Sequence, residues 1–110
     1  MKVVNRIKAN EDFAFTIKNG RKFRAESFVI YVTKNDLNYT RVGLSVSKKL
    51  GDAVTRNRLK RQLRAMCDSL IDYNAYSLDL AIVARRSILD FTFQENSNLL
   101  KDLLGKVYRS

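Results

Sequence analysis

Residues 41–64 read RVGLSVSKKLGDAVTRNRLKRQLR and contain a strand pattern followed directly by a helix pattern. Val42, Leu44 and Val46 alternate with small or polar residues, which is typical of a half-buried strand. From Thr55 onward, apolar residues recur at spacings of three and four, which predicts a helix with one buried stripe. The stripe consists of Leu59, Leu63, Met66, Leu70 and Tyr73. A strand that leads through a short loop into a long amphipathic helix therefore forms the centre of the predicted fold.

The N-terminal part of the chain predicts one helix and one strand. Asn10, which two acidic residues follow, is a candidate helix cap and Gly20 is a candidate stop, so we expect a helix over residues 10–19. Residues 27–33, SFVIYVT, are mostly β-branched or aromatic, which is typical of a strand. The turn-like residues 34–36 predict that this strand enters a hairpin.

The C-terminal part of the chain predicts a strand and a closing helix. Residues 78–84 form an apolar run of strand length. Thr92 and Glu95 have the spacing of a capping box, and the leucine-rich residues 99–107 then supply an apolar helix face. A chain of this length rarely divides into two cores, so we expect a single domain over residues 1–110. The element order predicts a small α/β sandwich with helices on one sheet.

The composition predicts a polyanionic partner and excludes several kinds of catalytic site. Lysine and arginine number 21 against 11 acidic residues, a formal net charge of +10, so nucleic acid is the first partner to consider. Histidine, the commonest general base and metal ligand, is absent, and the single cysteine, Cys67, excludes an intrachain disulfide. No apolar run approaches the roughly 18 residues that a membrane span requires. We therefore expect a cytoplasmic protein with no membrane partner.

The positive charge is concentrated on the long predicted helix. Residues 41–64 contain eight of the basic residues and one acid. The cations in the first turns of the helix point outward at several angles: Arg56, Arg58, Lys60, Arg61 and Arg64. They lie near a helix N-terminus, where the macrodipole already carries partial positive charge, so their grouping destabilises the isolated helix. The pattern indicates that phosphates bind at the helix start.

Residues 43–64 resemble the signature of the bacterial ribonuclease P protein component. The signature is a VSKK run, a glycine, an AV pair and an RNRxKR run, all present here in one contiguous block. The segments NEDF (residues 10–13) and FVIY (residues 28–31) also resemble the family, so the resemblance spans nearly the full chain. It implies a protein subunit that joins a large catalytic RNA and helps it to remove the 5′ leader from precursor tRNA.

The resemblance also implies a fold and a division of labour. The family has an α+β sandwich of the ribosomal protein S5 domain 2-like type, with helices on a small mixed sheet and a left-handed βαβ crossover. The holoenzyme is an endoribonuclease in which the RNA subunit catalyses cleavage and binds most of the magnesium. The protein alone is then inactive, with no catalytic residue, no metal site of its own and no need for a further protein partner.

The site residues that the resemblance implies fall into two groups. The group expected to face the catalytic RNA is Lys48, Lys49, Arg56, Asn57, Arg58, Lys60, Arg61 and Arg64. The second group is expected to line a cleft, between the first helix and the sheet, that receives the single-stranded leader: Phe13, Ile17 and Tyr31. Many relatives carry an aromatic residue at the position of Ile17, so its contact is expected to be weaker. Phe28 and Tyr31 project from opposite faces of the predicted strand, so Phe28 is assigned to the core.

Two other classes of protein fit parts of the pattern. A non-catalytic RNA-binding protein of ribosomal type would show the same basic helix. Composition does not distinguish this hypothesis from the hypothesis of a ribonuclease P protein. A basic peripheral membrane protein is disfavoured, because the core requires the leucine stripe and no apolar face remains for lipid.

Overall fold

The computed structural model describes residues 1–110 and contains three α-helices and four β-strands. The elements are α1 (Asn10–Asn19), β1 (Arg21–Arg24), β2 (Phe28–Lys34), β3 (Arg41–Ser45), α2 (Ala53–Leu70), β4 (Leu78–Ala84) and α3 (Phe93–Arg109). All three predicted helices and three predicted strands are confirmed. β1 was not predicted, since its sequence RKFR lacks the apolar alternation of a half-buried strand. None of the helices combines the length and hydropathy needed to cross a bilayer.

The four strands form one mixed sheet in the order β1-β2-β4-β3. β1 and β4 both pair with β2 in antiparallel fashion, whereas β3 and β4 are parallel and are joined through α2. The hairpin predicted to follow β2 is therefore wrong, because β4 lies between β2 and β3 and the hairpin partner of β2 is β1. The apolar sequence of β4 explains this position, since Leu80, Ala81 and Ile82 are fully buried and a central strand is covered on both faces.

The two faces of the sheet are covered differently. α2 and α3 pack on one face and form the core with buried strand residues such as Phe28, Ile30 and Leu80. The core assignment of Phe28 is therefore confirmed. α1 lies on the opposite face, where the hydroxyl oxygens of Thr16 and Thr33 are 3.4 Å apart. The predicted α+β class, with helices packed on a small mixed sheet, is confirmed.

The ends of α1 correct one prediction and confirm another. Ala9 is the N-cap, and Asn10 is the first helical residue, so the predicted Asn10 cap is wrong. The carboxylates of Glu11 and Asp12 still lie in the first turn, where they complement the helix dipole. Gly20 ends the helix as predicted, and its amide donates a 2.8 Å hydrogen bond to the carbonyl of Thr16.

The longer helices begin with side-chain caps. The capping box of Thr92 and Glu95 at the start of α3 is confirmed. α2 begins at Ala53, two residues before the predicted start, because the side chain of Asp52 caps it. It ends at Leu70, so Tyr73 packs against the core from the following loop and not from the helix.

Candidate nucleic-acid interface

The start of α2 is held by a tight turn and a single carboxylate. Gly51 has φ of +146°, a conformation that side-chain-bearing residues rarely adopt, so glycine is required at this turn. The Asp52 side chain accepts a 2.9 Å hydrogen bond from the amide of Thr55, which lowers the pKa of this carboxyl group. Arg56 Nε donates a 3.2 Å hydrogen bond to the carbonyl of Gly51. The first turn of α2 is thereby fixed in position, with a guanidinium group beside it.

The two lysines of the VSKK run lie in a short 3-10 turn before α2. Lys48 and Lys49 are both exposed, whereas Leu50, the third residue of the turn, is buried in the core. The buried leucine anchors the turn to the domain. Both ammonium groups are therefore presented to solvent next to the N-terminus of α2.

α2 separates its apolar stripe from its cations. Four residues of the helix are buried: Leu59, Leu63, Met66 and Cys67. The side chains expected to face RNA lie around this stripe, with Arg56, Lys60 and Arg64 half-buried beside it and Asn57, Arg58 and Arg61 exposed. The structure thus brings six of the eight predicted residues onto the outward surface of one helix, which we call the basic face of α2. Their contact with RNA stays a prediction.

The cations of this chain are almost entirely free of intramolecular ion pairs. Arg41 is the only one of the 21 lysine and arginine side chains with a carboxylate within 4 Å. Its guanidinium contacts Asp79 at 2.6 Å and Asp12 at 3.5 Å, and the hydrogen bonds to Asp79 raise the Arg41 pKa. This pair connects α1 to the sheet, so it is structural. Every cation on the basic face of α2 remains available for an external anion.

A small recess connects the basic face of α2 with the edge of the sheet. It has a volume of about 130 Å³ and is lined by Lys60, Arg64, Arg6 and Gly43, among others. Arg6 lies in the segment whose Ile7 amide donates a 3.0 Å hydrogen bond to the Val42 carbonyl along the edge of β3. Sequence reasoning missed Arg6, because only the tertiary structure brings this segment beside α2.

Tyr31, one of the predicted cleft residues, belongs to a row of four residues that crosses the sheet. The strand register places Lys22 opposite Tyr31, Tyr31 opposite Ala81 and Ala81 opposite Gly43. All four residues project from the face that α1 occupies, since directly paired residues lie on the same side of a sheet. Two strand spacings, about 10 Å in all, separate Tyr31 from Gly43. Small residues therefore occupy the floor of the row beside the tyrosine.

Phe13 lies directly over the glycine at the end of this row. A Cβ atom built on Gly43 would lie 2.5 Å from Cδ1 of Phe13, which is closer than any real contact. Glycine at this position thus allows α1 to approach β3. Sequence reasoning assigned no role to Gly43, since its partner is 30 positions away in the chain.

The next row of the same face is open to solvent. It consists of Arg24, Val29, Val83 and Ser45, which the register places side by side. Arg24 is exposed and the other three are half-buried, in contrast to the buried Ala81 of the first row. Ile17 is half-buried on α1 and lies one helical turn after Phe13. Phe13, Ile17 and Tyr31 are all half-buried on the face of the sheet that α1 occupies. We call the surface that they and the open row form beside α1 the cleft, and its contact with the leader stays a prediction.

The acidic side chains are not clustered as metal ligands, and the single thiol of the chain is buried. No group of three or more cysteine, aspartate or glutamate side chains is arranged to hold a metal ion anywhere in residues 1–110. Cys67 is fully buried in the core, and burial raises the pKa of its thiol to about 12. The residues of this chain therefore do not fit the magnesium ions that the family resemblance implies.

Comparison with known proteins identifies relatives of the whole chain. The protein-family model for Ribonuclease P matches residues 1–108. The ribonuclease P protein component of Streptococcus pneumoniae is 40% identical over 111 residues, which cover 99% of this chain and 90% of the relative. The relationship is therefore not confined to the basic segment.

Solved structures show the same similarity in three dimensions. A Staphylococcus aureus RNase P protein mutant with defective mRNA degradation activity matches with a TM-score of 0.86 and 33% identity, covering 96% of this chain and 89% of that one. The RNase P protein of Thermotoga maritima matches with a TM-score of 0.79 and 28% identity, covering 92% and 96%. Sequence and fold thus agree over nearly the full length.

Proposed function

The chain belongs to the ribonuclease P protein family, and on this premise we propose how its surfaces serve precursor tRNA processing. The basic face of α2 binds the catalytic RNA subunit, and the cleft binds the 5′ leader of precursor tRNA. The RNA subunit cleaves the phosphodiester bond, and the protein raises the affinity of the assembly for its substrate. The protein is then a binding subunit of an endoribonuclease and has no catalytic residue of its own.

One observation carries the proposal for α2: its cations are grouped on one surface without carboxylate partners. Arg58 and Arg61 are exposed, and no lysine or arginine of α2 has an acid within 4 Å. Phosphate groups that bind this surface gain charge-assisted hydrogen bonds and release counterions. They also relieve the repulsion among the cations at the N-terminus of α2.

The cleft suits a single-stranded nucleic acid of variable sequence. Phe13 and Tyr31 border it, and unpaired bases stack on aromatic rings with about 1–3 kcal/mol per base and little dependence on sequence. The half-buried Val29, Val83 and Ser45 of the open row leave part of this face of the sheet accessible to the bound strand. Leaders of different sequence can therefore be accepted by one site.

The magnesium ions required for cleavage are assigned to the RNA subunit. Phosphate oxygens of a folded RNA are hard ligands of the kind that Mg²⁺ prefers. The protein side chains do not provide such a set. The proposal places the complex in the cytoplasm, which accords with the single, buried thiol of Cys67.

Reconstitution tests the proposal. The purified chain, added to its cognate catalytic RNA, is expected to stimulate magnesium-dependent cleavage of precursor tRNA, most strongly at low magnesium. The matched variants replace two cations by methionine, at Arg58 and Arg61 on α2 or at Lys101 and Lys106 on α3. Only the α2 variant should lose stimulation. Correctly folded protein that binds RNA without any stimulation would favour a ribosomal-type protein instead.

A second experiment tests the cleft. Tyr31→Ala should weaken binding of leader-bearing precursor tRNA by roughly 5- to 150-fold, the equivalent of about 1–3 kcal/mol. Affinity of the same holoenzyme for mature tRNA should stay nearly unchanged. Equal losses for both substrates would contradict the assignment of the cleft to the leader.

A further inference from the structure

β1 carries cations on the same face of the sheet as the cleft. Its sequence is RKFR, and the register places Lys22 opposite Tyr31 and Arg24 opposite Val29. Both cations are exposed, and they project toward the α1 side of the sheet. Arg21 and Phe23 alternate with them and project toward the core side.

Neither Lys22 nor Arg24 forms an ion pair within the chain. No carboxylate lies within 4 Å of Lys22 or Arg24. The ammonium group of Lys22 lies 6.0 Å from the centre of the Tyr31 ring, which is a weak cation–π contact at an exposed position. The cleft thus has the Tyr31 ring beside two cations that have no carboxylate partner. The open row next to this ring also contains two valines and a serine.

We propose that β1 is the phosphate-binding border of the cleft, with Lys22 and Arg24 contacting successive phosphates of a single-stranded RNA leader whose bases face Tyr31. This inference rests on the proposed function of the cleft. It assigns to the site a second element, since the aromatic positions alone bind bases and provide no contact for the sugar–phosphate backbone.

The geometry of an edge strand suits this role. Alternate residues of a strand lie about 6.7 Å apart on one face, so the two cations follow a line parallel to β1. β1 has a neighbour on one side only, so an extended strand of RNA can lie along it without displacing another element. Phosphate contacts carry no sequence information, which suits leaders that differ from one precursor to the next.

Lys22 also links the two kinds of contact. In the free protein its ammonium group lies near the face of Tyr31. A base that stacks on this ring displaces the ammonium group toward the neighbouring phosphate. The side chain therefore exchanges a weak contact with the ring for a charge-assisted one with the RNA.

The test uses the reconstituted holoenzyme and a double variant, Lys22→Met with Arg24→Met, which retains most of the aliphatic length of both side chains. Each phosphate contact with a single strand contributes about 0.7 to the slope of log affinity against log salt. The variant should lower this slope by about 1.4 for leader-bearing precursor. Its affinity for that substrate should fall roughly tenfold at about 150 mM salt, and affinity for mature tRNA should not change.

The control also removes two positive charges, through Lys101→Met with Lys106→Met on α3, which packs on the other face of the sheet. It should leave both slopes unchanged. An unaltered slope in the β1 variant, with wild-type protein still preferring leader-bearing substrate, overturns this inference alone. Wild-type protein without any preference for the leader overturns the proposed function of the cleft. An equal loss for mature tRNA assigns the two cations to another part of the RNA and also overturns the inference.

Discussion

α2 and α3 are helices of almost equal length, with 18 and 17 residues, and both pack on the same face of the sheet. Each contributes fully buried apolar side chains to one core, for example Leu63 from α2 and Leu100 from α3. The apolar stripes of both helices therefore stabilise the same core. The two helices differ in where their charged residues lie.

The charges of α3 follow the helix dipole, and those of α2 oppose it. α3 has Glu95 in its first turn and Lys106 and Arg109 in its last turn, the arrangement that stabilises a helix. α2 has no acid in its first turn and no base in its last turn, while its cations are grouped near its start. Two helices in one core thus show different constraints: the charges of α3 suit folding, and those of α2 suit an external anion.

The largest expected effect tests whether both helices are equally part of the core. Leu63→Ala and Leu100→Ala each remove a side chain that is 0% exposed, so each should lower the free energy of unfolding by about 2–5 kcal/mol. Urea unfolding followed by circular dichroism measures both. A much smaller loss for Leu63→Ala would show that α2 is held loosely, as an arm and not as a core helix.

The second prediction tests the difference in charge between α2 and α3. Sulfate should stabilise the free protein by binding at the start of α2, by about 2.7 kcal/mol once its concentration exceeds the dissociation constant 100-fold. Replacing Arg56 and Lys60 by methionine should remove most of this gain, and replacing Lys101 and Lys106 on α3 should not. Thermal melts with and without sulfate measure it. Equal responses in both variants would mean that sulfate acts by general exclusion from the protein surface.

A smaller effect concerns the cap of α3. Thr92→Ala removes the side chain that accepts the 3.1 Å hydrogen bond from the Glu95 amide, so it should cost about 1 kcal/mol of stability. RNA affinity should stay at the wild-type value, because α3 takes no part in the proposed interface. Loss of RNA affinity in a folded Thr92→Ala protein would contradict the assignment of RNA binding to α2 and not to α3.

The smallest effect concerns the cap of α2. The hydrogen bond from Thr55 lowers the pKa of Asp52, so this carboxylate stabilises the folded state above its ordinary pKa of 3.8 and ceases to do so as pH falls through the lowered value. Asp52→Asn retains an oxygen for the cap and should flatten the acid limb of the stability curve. It should also strengthen RNA binding slightly, since it removes the one acid of residues 41–64. Weaker RNA binding would show that the carboxylate itself helps to form the interface.

Local pattern predicted most of the elements, and it failed where distant segments decide the outcome. The apolar stripe of α2, apart from Tyr73, and the capping box of α3 are properties of neighbouring residues, so they were predicted correctly. The β2 hairpin was assigned to the wrong partner, because strand order depends on how completely β4 must be buried. β1 was not predicted, because its sequence RKFR lacks apolar alternation and its pairing with β2 is set by the tertiary structure.

The candidate site divides in the same way. The cations of α2 lie within one continuous helix, so the sequence reveals their common surface. Arg6, Gly43 and Lys22 have their roles only beside residues of other elements, at the edge of β3, beneath Phe13 and opposite Tyr31. Spacing along the chain carries no signal for any of them.

By itself, the sequence determined which segments are helical, which helix is cationic and which family the chain resembles, because periodicity, capping and charge are set by residues a few positions apart. The tertiary structure decided the order of the strands, the glycine floor beneath Phe13 and the row of Lys22, Tyr31 and Ala81 across three strands. These features arise when burial of the apolar face of the sheet brings distant segments together. The register of that packing, and not any local preference, then places the cation of Lys22 beside the ring of Tyr31 and Gly43 beneath Phe13.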